Sequence, residues 1–233
     1  MDSKKRIIII GGGAAGLLAA IRASELGGSV ILIEKMRELG RKILISGKGR
    51  CNVTNDCDRE GFLRAFGREG RFLYSAWDEL DNQKLRELLH AWGCPTVVER
   101  GQRVVPASQS AREVRDLLVT KAEAVGVKIW NDSLVREIKR VKSHFQVTLK
   151  SGVKVEAEKL VLTTGGVSYP GTGSSGDGLK WAEELGHQIV PLRGALVPLV
   201  TEEEWVPLLQ GLSLKNVQAS LWQKGKEKDS DFG

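Results

Sequence analysis

Three glycines near the start of the chain, Gly11, Gly13 and Gly16, have the spacing G-x-G-x-x-G and follow a run of four isoleucines. In this pattern the first glycine permits a tight turn, the second lets a diphosphate approach the backbone, and the third lets a helix pack closely on the strand. The free N–H groups and the dipole at the start of that helix attract phosphate. The spacing therefore predicts a site for the diphosphate of a dinucleotide, which also includes Ala14 and Ala15.

Glu34 ends the next apolar segment, roughly 20 positions after Gly11, which is the spacing of a residue that binds a ribose. Its carboxylate can accept hydrogen bonds from both ribose hydroxyls, whereas a 2′-phosphate at the same place would meet like charge. Glu34, with Lys35 beside it, therefore favours FAD or NAD over NADP at this site. The alternative, an exposed glutamate that merely ends a strand, stays open.

The formal net charge is +6 over 233 residues. Such a charge could indicate a nucleic-acid partner, but the sequence has no block of basic residues and no basic stripe interleaved with aromatics. Three cysteines are too few for a secreted disulfide framework, and no apolar run is long enough to span a membrane. We therefore expect a cytoplasmic protein whose partner is a small molecule rather than nucleic acid or membrane.

The segment from Glu38 to Asn55 is predicted as a loop because it is rich in glycine and small polar residues. Its basic side chains and backbone donors suit a second wall against a dinucleotide. Cys51 has two interpretations: a small residue near the cofactor, or half of a redox pair with Cys57, with a thiol pKa that Arg50 would lower. The residues of this segment predicted to bind the cofactor are Arg41, Lys42, Ser46, Gly47, Gly49, Arg50, Cys51 and Asn52.

Alternating β-branched residues predict a three-stranded antiparallel meander over about 133–158, with strands at 135–141, 145–150 and 153–157. Apolar residues at three- and four-residue steps predict helical structure over 58–93. A further helix is expected over 110–129. With the first strand, turn and helix, these elements predict an α/β fold.

A buried strand is predicted over 159–163, and glycines after it permit a ligand to approach the backbone. The segment YPGTGSSGDG is then predicted as a mobile loop before a helix at 177–185, where Asp177 either caps the helix or has a further role. A short helix at 202–209 and a strand at 213–222 indicate the start of a second domain.

The GGGAAG turn, the Glu-Lys pair after the second strand and the segment GRKILISGKGRCNVTN together resemble the BaiN-like flavoproteins, within the two-dinucleotide-binding-domain superfamily that includes glutathione reductase. GQRVVPAS, VLTTGGVSYPGTGSSGDGLKWAEELGH and GLSLKNV extend the resemblance over almost the whole chain. The resemblance implies bound FAD and reduction by NADH or NADPH. It also implies that Val135 lies near the adenine, and that Thr164, Gly165 and Gly166 lie near the chain that links the flavin.

The resemblance implies a Rossmann-like FAD-binding domain of glutathione-reductase type over 1–194 and the beginning of an inserted β-rich domain over 195–233. Members of the family are substantially longer, so we expect a truncated chain whose exposed strand edges permit self-association. Glutathione-reductase-like enzymes carry a redox pair spaced C-x-x-x-x-C, whereas five residues separate Cys51 from Cys57. This favours Cys51 as a small residue near the flavin.

We therefore expect an FAD-dependent oxidoreductase that passes hydride from NADH or NADPH through the flavin to an unsaturated or carbonyl small molecule. No catalytic residue is assigned, since hydride transfer itself needs no acid or base, and no metal site is expected because His90, His144 and His187 lack the spacing of ligands. Two alternatives stay open: an RNA-modifying or RNA-binding flavoprotein, and a non-catalytic remnant that binds nucleotide. The sequence leaves the substrate, the electron acceptor and the oligomeric state unassigned.

Overall fold

The computed structural model describes residues 5–194, 200–212, 214 and 217–232. The chain divides into two units, Met1–Ile189 and Val190–Gly233. The domain boundary at 194 therefore stays a prediction, and the start of the second domain at 195 lies outside the described residues.

The first unit alternates strands with helices before and after an antiparallel meander. Its strands are β1 (Arg6–Ile10), β2 (Ser29–Ile33), β3 (Thr54–Asn55), β4 (Thr96–Glu99), β5 (Arg103–Pro106), β6 (Lys128–Trp130), β7 (Val135–Val141), β8 (His144–Leu149), β9 (Lys154–Ala157) and β10 (Lys159–Leu162). Its α-helices are α1 (Ala14–Glu25), α2 (Arg41–Ile45), α3 (Arg59–Ala65), α4 (Tyr74–Glu79), α5 (Asn82–Ala91), α6 (Ala111–Ala124) and α7 (Asp177–Glu184).

Four strands form a parallel sheet in the order β10-β1-β2-β6. The isoleucine run is buried on both faces, as its lack of helical periodicity predicts. Ile9 packs with residues of α1 and α6 on one face. Ile8 and Ile10 pack with the meander and with Trp181 of α7 on the other. The α/β, Rossmann-like fold class is confirmed.

The predicted meander is confirmed as a three-stranded antiparallel sheet in the order β7-β8-β9. Its inward side chains cover the parallel sheet and form the second half of the core. An irregularity in register occurs between Val135 and Glu137, at the start of β7. A further small sheet, β3-β5-β4, lies outside the parallel sheet.

The helical prediction over 58–93 is confirmed, although that region is broken into several pieces. The helix predicted over 110–129 is confirmed only for Ala111–Ala124, because its last residues, from Lys128, belong to β6 and pair with β2. Asp58 and Asp81 each cap a helix start, accepting hydrogen bonds at 2.7 Å from the backbone N–H groups of Gly61 and Lys84. Between α3 and α4 the chain forms a 3-10 turn, Gly67–Leu73.

Two further expectations from sequence are corrected in this unit. The segment 38–55 is not all loop, since it contains α2 and a 3-10 turn at Ser46–Gly49. Ile43 is buried in the core cluster that contains Ile9 and residues of α1 and α6, and this burial favours a helix there despite the flanking glycines. The strand predicted as buried over 159–163 ends at Leu162 and is only partly buried, because β10 lies at the edge of the described sheet.

The second unit contains a hairpin of β11 (Gln218–Gln223) and β12 (Lys226–Phe232). The helix predicted at 202–209 is a 3-10 turn, Val206–Leu209, which contains Pro207. The predicted strand at 213–222 begins instead at Gln218, and Ser213 lies outside the described residues.

Candidate cofactor-binding site

The G-x-G-x-x-G turn joins β1 to α1. Gly11 has a φ of +107°, and a Cβ atom there would lie 2.5 Å from the backbone oxygen of Thr163. A Cβ atom at Gly16 would lie 1.9 Å from the backbone oxygen of Gly11, so this glycine lets α1 pack directly on the turn. A Cβ atom at Gly13 would meet nothing within 4 Å. The turn therefore leaves an open approach at Gly13, the glycine predicted to receive a diphosphate.

A cavity of about 800 Å³ borders this turn at the carboxyl ends of β1 and β10. The sheet has its switch point there, because β2 lies on one side of β1 and β10 on the other. Ligands of open α/β sheets bind at such a point. Twelve of the residues predicted to bind the cofactor line the cavity: Gly11, Gly13, Ala14, Ala15, Glu34, Arg41, Lys42, Ser46, Cys51, Asn52, Thr164 and Gly165.

The Glu34 carboxylate faces the glycine-rich turn. Its Oε2 accepts a hydrogen bond from the N–H of Gly12 at 2.7 Å, and its Oε1 accepts one from the N–H of Met36 at 2.8 Å. Each oxygen keeps further lone-pair capacity, and the side chain lines the cavity. Glu34 is thus placed to accept hydrogen bonds from a ribose and also ties the turn to the segment after β2.

Two basic residues of α2, Arg41 and Lys42, reach the cavity. The Lys42 Nζ donates to Ser174 Oγ at 2.7 Å and to the backbone oxygen of Ser168 at 2.9 Å. Arg41 makes no side-chain hydrogen bond or ion pair with the described residues. Its guanidinium is therefore available to an anionic ligand, whereas Lys42 is already engaged.

Lys35, which follows Glu34, does not point freely into solvent. Its Nζ pairs with Asp177 Oδ2 at 2.7 Å and also contacts the Ser175 hydroxyl. The ammonium lowers the pKa of the Asp177 carboxyl from its ordinary value. Asp177 lies in the first turn of α7, directly after the N-cap residue Gly176, where a negative charge is favourable. The ion pair with Lys35 gives it a further role beside that one.

Five residues predicted to bind the cofactor line neither this cavity nor a second, smaller one beside it, which is described below. Arg50 is among them, because its Nη1 lies 3.1 Å from both carboxylate oxygens of Glu99. This ion pair links the segment after α2 to β4. The five residues are Gly16, Gly47, Gly49, Arg50 and Gly166.

Cys51 lines the cavity with a buried thiol. Burial raises its pKa, and a hydrogen bond with Ser46 opposes that effect only in part. The expectation that Arg50 lowers this pKa is wrong, since the guanidinium is paired with Glu99 and desolvation dominates. Cys51 and Cys57 are both free thiols.

A second, small cavity of about 30 Å³ lies beside Val135, the residue that the resemblance places near adenine. It shares Glu34 and Thr164 with the large cavity, and Lys35 contributes to its lining. A space of this size holds about two water molecules. The structure therefore brings Val135 and Lys35 together beside Glu34.

The structure adds an aliphatic wall to the cavity that the sequence did not reveal. It consists of side chains from α1, α5 and α6. Their spacing of four residues within α5 and α6 predicts core-facing positions and gives no sign that a cavity reaches them. The wall comprises Leu18, Leu85, Leu89, Val114 and Leu118.

In the described part of the chain, no helix is long and apolar enough to cross a membrane. The same residues contain no group of three His, Cys, Asp or Glu side chains placed to hold a metal ion. The residues that line the cavity are of types that could hold a dinucleotide: Gly13 leaves an open approach for a diphosphate, Arg41 has no partner among the described residues, and Glu34 has acceptors for a ribose.

Comparison with known proteins gives one family model and several relatives. The model of the HI0933-like protein Rossmann domain matches residues 5–227. The chain is 36% identical over 211 residues to the "Ribosomal RNA dihydrouridine synthase" of Escherichia coli (strain K12), covering 89% of this chain and 50% of that protein. It is 33% identical over 196 residues to the "3-dehydro-bile acid delta(4,6)-reductase" of Clostridium scindens, covering 83% and 47%.

Among solved structures, the open conformation of a flavocytochrome c3 fumarate reductase superposes with a TM-score of 0.57 at 20% identity, covering 80% of this chain and 41% of that one. At this identity the match shows a shared fold. The chain spans about half the length of the curated relatives it matches.

Proposed function

The chain belongs to the HI0933-like Rossmann-domain family, which confirms its resemblance to the BaiN-like flavoproteins, and on this premise we propose that the protein is a flavin-dependent oxidoreductase that holds FAD in the large cavity. The observation that carries the proposal is the open approach at Gly13, in a cavity that is also lined by the carboxylate of Glu34 and by the guanidinium of Arg41, which has no partner among the described residues. These groups match the diphosphate and the ribose of an adenine dinucleotide.

In the proposed complex, backbone N–H groups at the start of α1 donate to the diphosphate and Arg41 neutralises its charge. The Glu34 carboxylate accepts hydrogen bonds from the ribose hydroxyls. The aliphatic wall and Cys51 exclude water from the part of the cavity that they line, since their side chains are apolar and largely buried. When bound, FAD supplies a carrier that accepts hydride from NADH or NADPH and passes it to an acceptor.

Titration of the purified protein with FAD tests this proposal. We expect a change in flavin fluorescence and absorbance on binding, and competition by ADP, which shares the diphosphate and the adenine-bearing ribose. Anaerobic addition of NADH or NADPH should then bleach the visible flavin absorbance. A protein that leaves the flavin spectrum unchanged at saturating FAD would contradict the proposal.

The names of the two curated relatives suggest the class of acceptor. A dihydrouridine synthase adds hydrogen across a ring double bond of uridine, and a delta(4,6)-reductase of a 3-dehydro compound saturates ring double bonds conjugated to a ketone. Both are reductions of a carbon–carbon double bond conjugated to a carbonyl group. We propose the same bond class for this protein: hydride adds to one carbon, a proton adds to its neighbour, and NAD(P)H becomes NAD(P)⁺.

The name carried by the Escherichia coli relative also favours a second candidate, in which the double bond belongs to a uridine in RNA. The two candidates differ in a direct assay with NADPH or NADH and bound FAD. A cyclic enone consumed at a rate above background supports the small molecule, whereas dihydrouridine detected by mass spectrometry in added ribosomal RNA supports the second candidate. Oxidation of the nicotinamide by oxygen alone would support neither.

A further inference from the structure

Residues 168–176, which we name the strap, form the last part of the connection from β10 to the start of α7 beside the cavity. The strap is a compact body: the N–H and the Oγ1 of Thr172 both donate to the backbone oxygen of Tyr169, at 2.9 and 2.7 Å. Thr172, Gly173 and Ser174 line the large cavity, and Gly173 also lines the small one. The strap is therefore part of the wall that a ligand on Glu34 would face.

Lys42, a residue of α2, binds the strap through its side chain. Its Nζ spans from the backbone oxygen of Ser168, at the first residue of the strap, to the hydroxyl of Ser174. Ser174 is only 6% exposed, and a Cβ atom at Gly165 would lie 2.7 Å from its Oγ. The hydroxyl is thus held between Gly165, in the segment after β10, and a cation carried by α2.

Lys35 fastens the other end. Its ammonium contacts Ser175 and pairs with Asp177, the residue that directly follows the strap. A Cβ atom at Gly173 would lie 3.1 Å from Met36 Cγ, so the strap packs closely on the segment after β2. Two lysines from the segment 35–42 therefore hold a loop that lies more than a hundred positions later in the chain.

We propose that the strap retains the dinucleotide, and that Lys42 is a positioning residue which acts through Ser174 rather than a ligand of the diphosphate. This inference rests on the proposed function, since the retained molecule is FAD. The Lys42 Nζ already has two partners, whereas Arg41 beside it has none among the described residues. Release of bound FAD then requires the strap to detach from Lys42 and Lys35.

The variants Lys42→Met and Ser174→Ala separate the two roles. Ser174→Ala removes the hydroxyl without a change of charge, and Lys139→Met, on the far meander, is the control for a lost lysine. The rate of FAD release is measured after mixing the loaded protein with excess ADP. We expect Ser174→Ala to release FAD roughly fivefold faster than the parent, as for one lost hydrogen bond, and Lys42→Met at least as fast, since it also loses the contact with Ser168. The double variant should be no faster than Lys42→Met, because that change already removes the contact with Ser174.

Hydrogen exchange of the ligand-free protein gives a readout that needs no flavin. The backbone amides of 168–176 should exchange faster in Lys42→Met and in Ser174→Ala, and at the parental rate in Lys139→Met. A Ser174→Ala variant with parental FAD release and parental exchange would overturn the inference, even if Lys42→Met releases FAD faster. If the parent protein binds no FAD, the proposed function fails, and the exchange measurement still decides whether Lys42 fastens the strap.

Discussion

Glu34 Oε2 accepts a hydrogen bond from the N–H of Gly12 at 2.7 Å, across 22 positions of the chain. The contact joins the end of β2 to the turn between β1 and α1. The second carboxylate oxygen accepts from Met36. One side chain therefore shapes the glycine-rich turn and lines the cavity in front of it.

Glu34→Gln tests this double role. An amide group would place an N–H donor against one of the two backbone N–H groups, which leaves that group without an acceptor. We expect the ligand-free protein to lose about 1–3 kcal/mol of unfolding free energy and FAD binding to weaken as well. Urea unfolding and FAD titration measure the two effects. Glu38→Gln is the control, since Glu38 lines the same cavity without a hydrogen bond to other described residues. Equal stability of both variants would contradict the inference that Glu34 stabilises the glycine-rich turn.

Gly13→Ala and Gly16→Ala form a matched pair within one turn. The new Cβ atom at Gly16 would lie 1.9 Å from the backbone oxygen of Gly11, so we expect a loss of about 2 kcal/mol or more in unfolding free energy. At Gly13 the Cβ atom meets open space, so stability should change by only about 0.5 kcal/mol. FAD affinity of Gly13→Ala should nevertheless fall by about tenfold or more. A Gly13→Ala variant with parental FAD affinity would place the diphosphate elsewhere.

Arg41→Met should mainly weaken FAD binding, whereas Arg50→Met should mainly lower the stability of the fold. Arg41 lines the cavity without a partner among the described residues, so its loss should weaken FAD binding by about tenfold and reduce the salt dependence of that binding. Arg50 is paired with Glu99 and stands back from the cavity. Its loss should cost about 1 kcal/mol or less of stability, because the pair is partly exposed. Parallel thermal unfolding and FAD titration check both, and an equal loss of affinity in the two variants would contradict the assignment.

Cys94 provides a prediction for alkaline pH. Burial and the nearby Glu113 raise the pKa of its thiol from 9.0 to about 11. The folded state therefore keeps a proton that the unfolded state releases, so the stability from this thiol is complete below pH 9 and is lost as the pH rises toward 11. Unfolding free energies at about pH 8 and about pH 11 should differ less for Cys94→Ala than for the parent. Identical pH dependence in both proteins would exclude the buried neutral thiol.

The sequence by itself determined the parallel strand, the glycine-rich turn and the helix that follows it. These features depend on residues close together in the chain, since an isoleucine run, three glycines and a helical period act locally. The meander could also be predicted from sequence, because alternation of side chains specifies both a strand and its buried face. The position of Glu34 after β2 could also be predicted, from its spacing to Gly11.

Tertiary structure decided which charges are free to meet a ligand. Arg41, Lys42 and Arg50 look alike in a basic segment, yet Lys42 is bound to Ser174 and Arg50 to Glu99, while Arg41 alone of the three has no partner among the described residues. Those partners lie 132 and 49 positions away. Burial likewise reversed the expected shift of the Cys51 pKa. The partners of these basic residues and the desolvation of the Cys51 thiol depend on which distant segments pack together. Local sequence patterns therefore could not predict them.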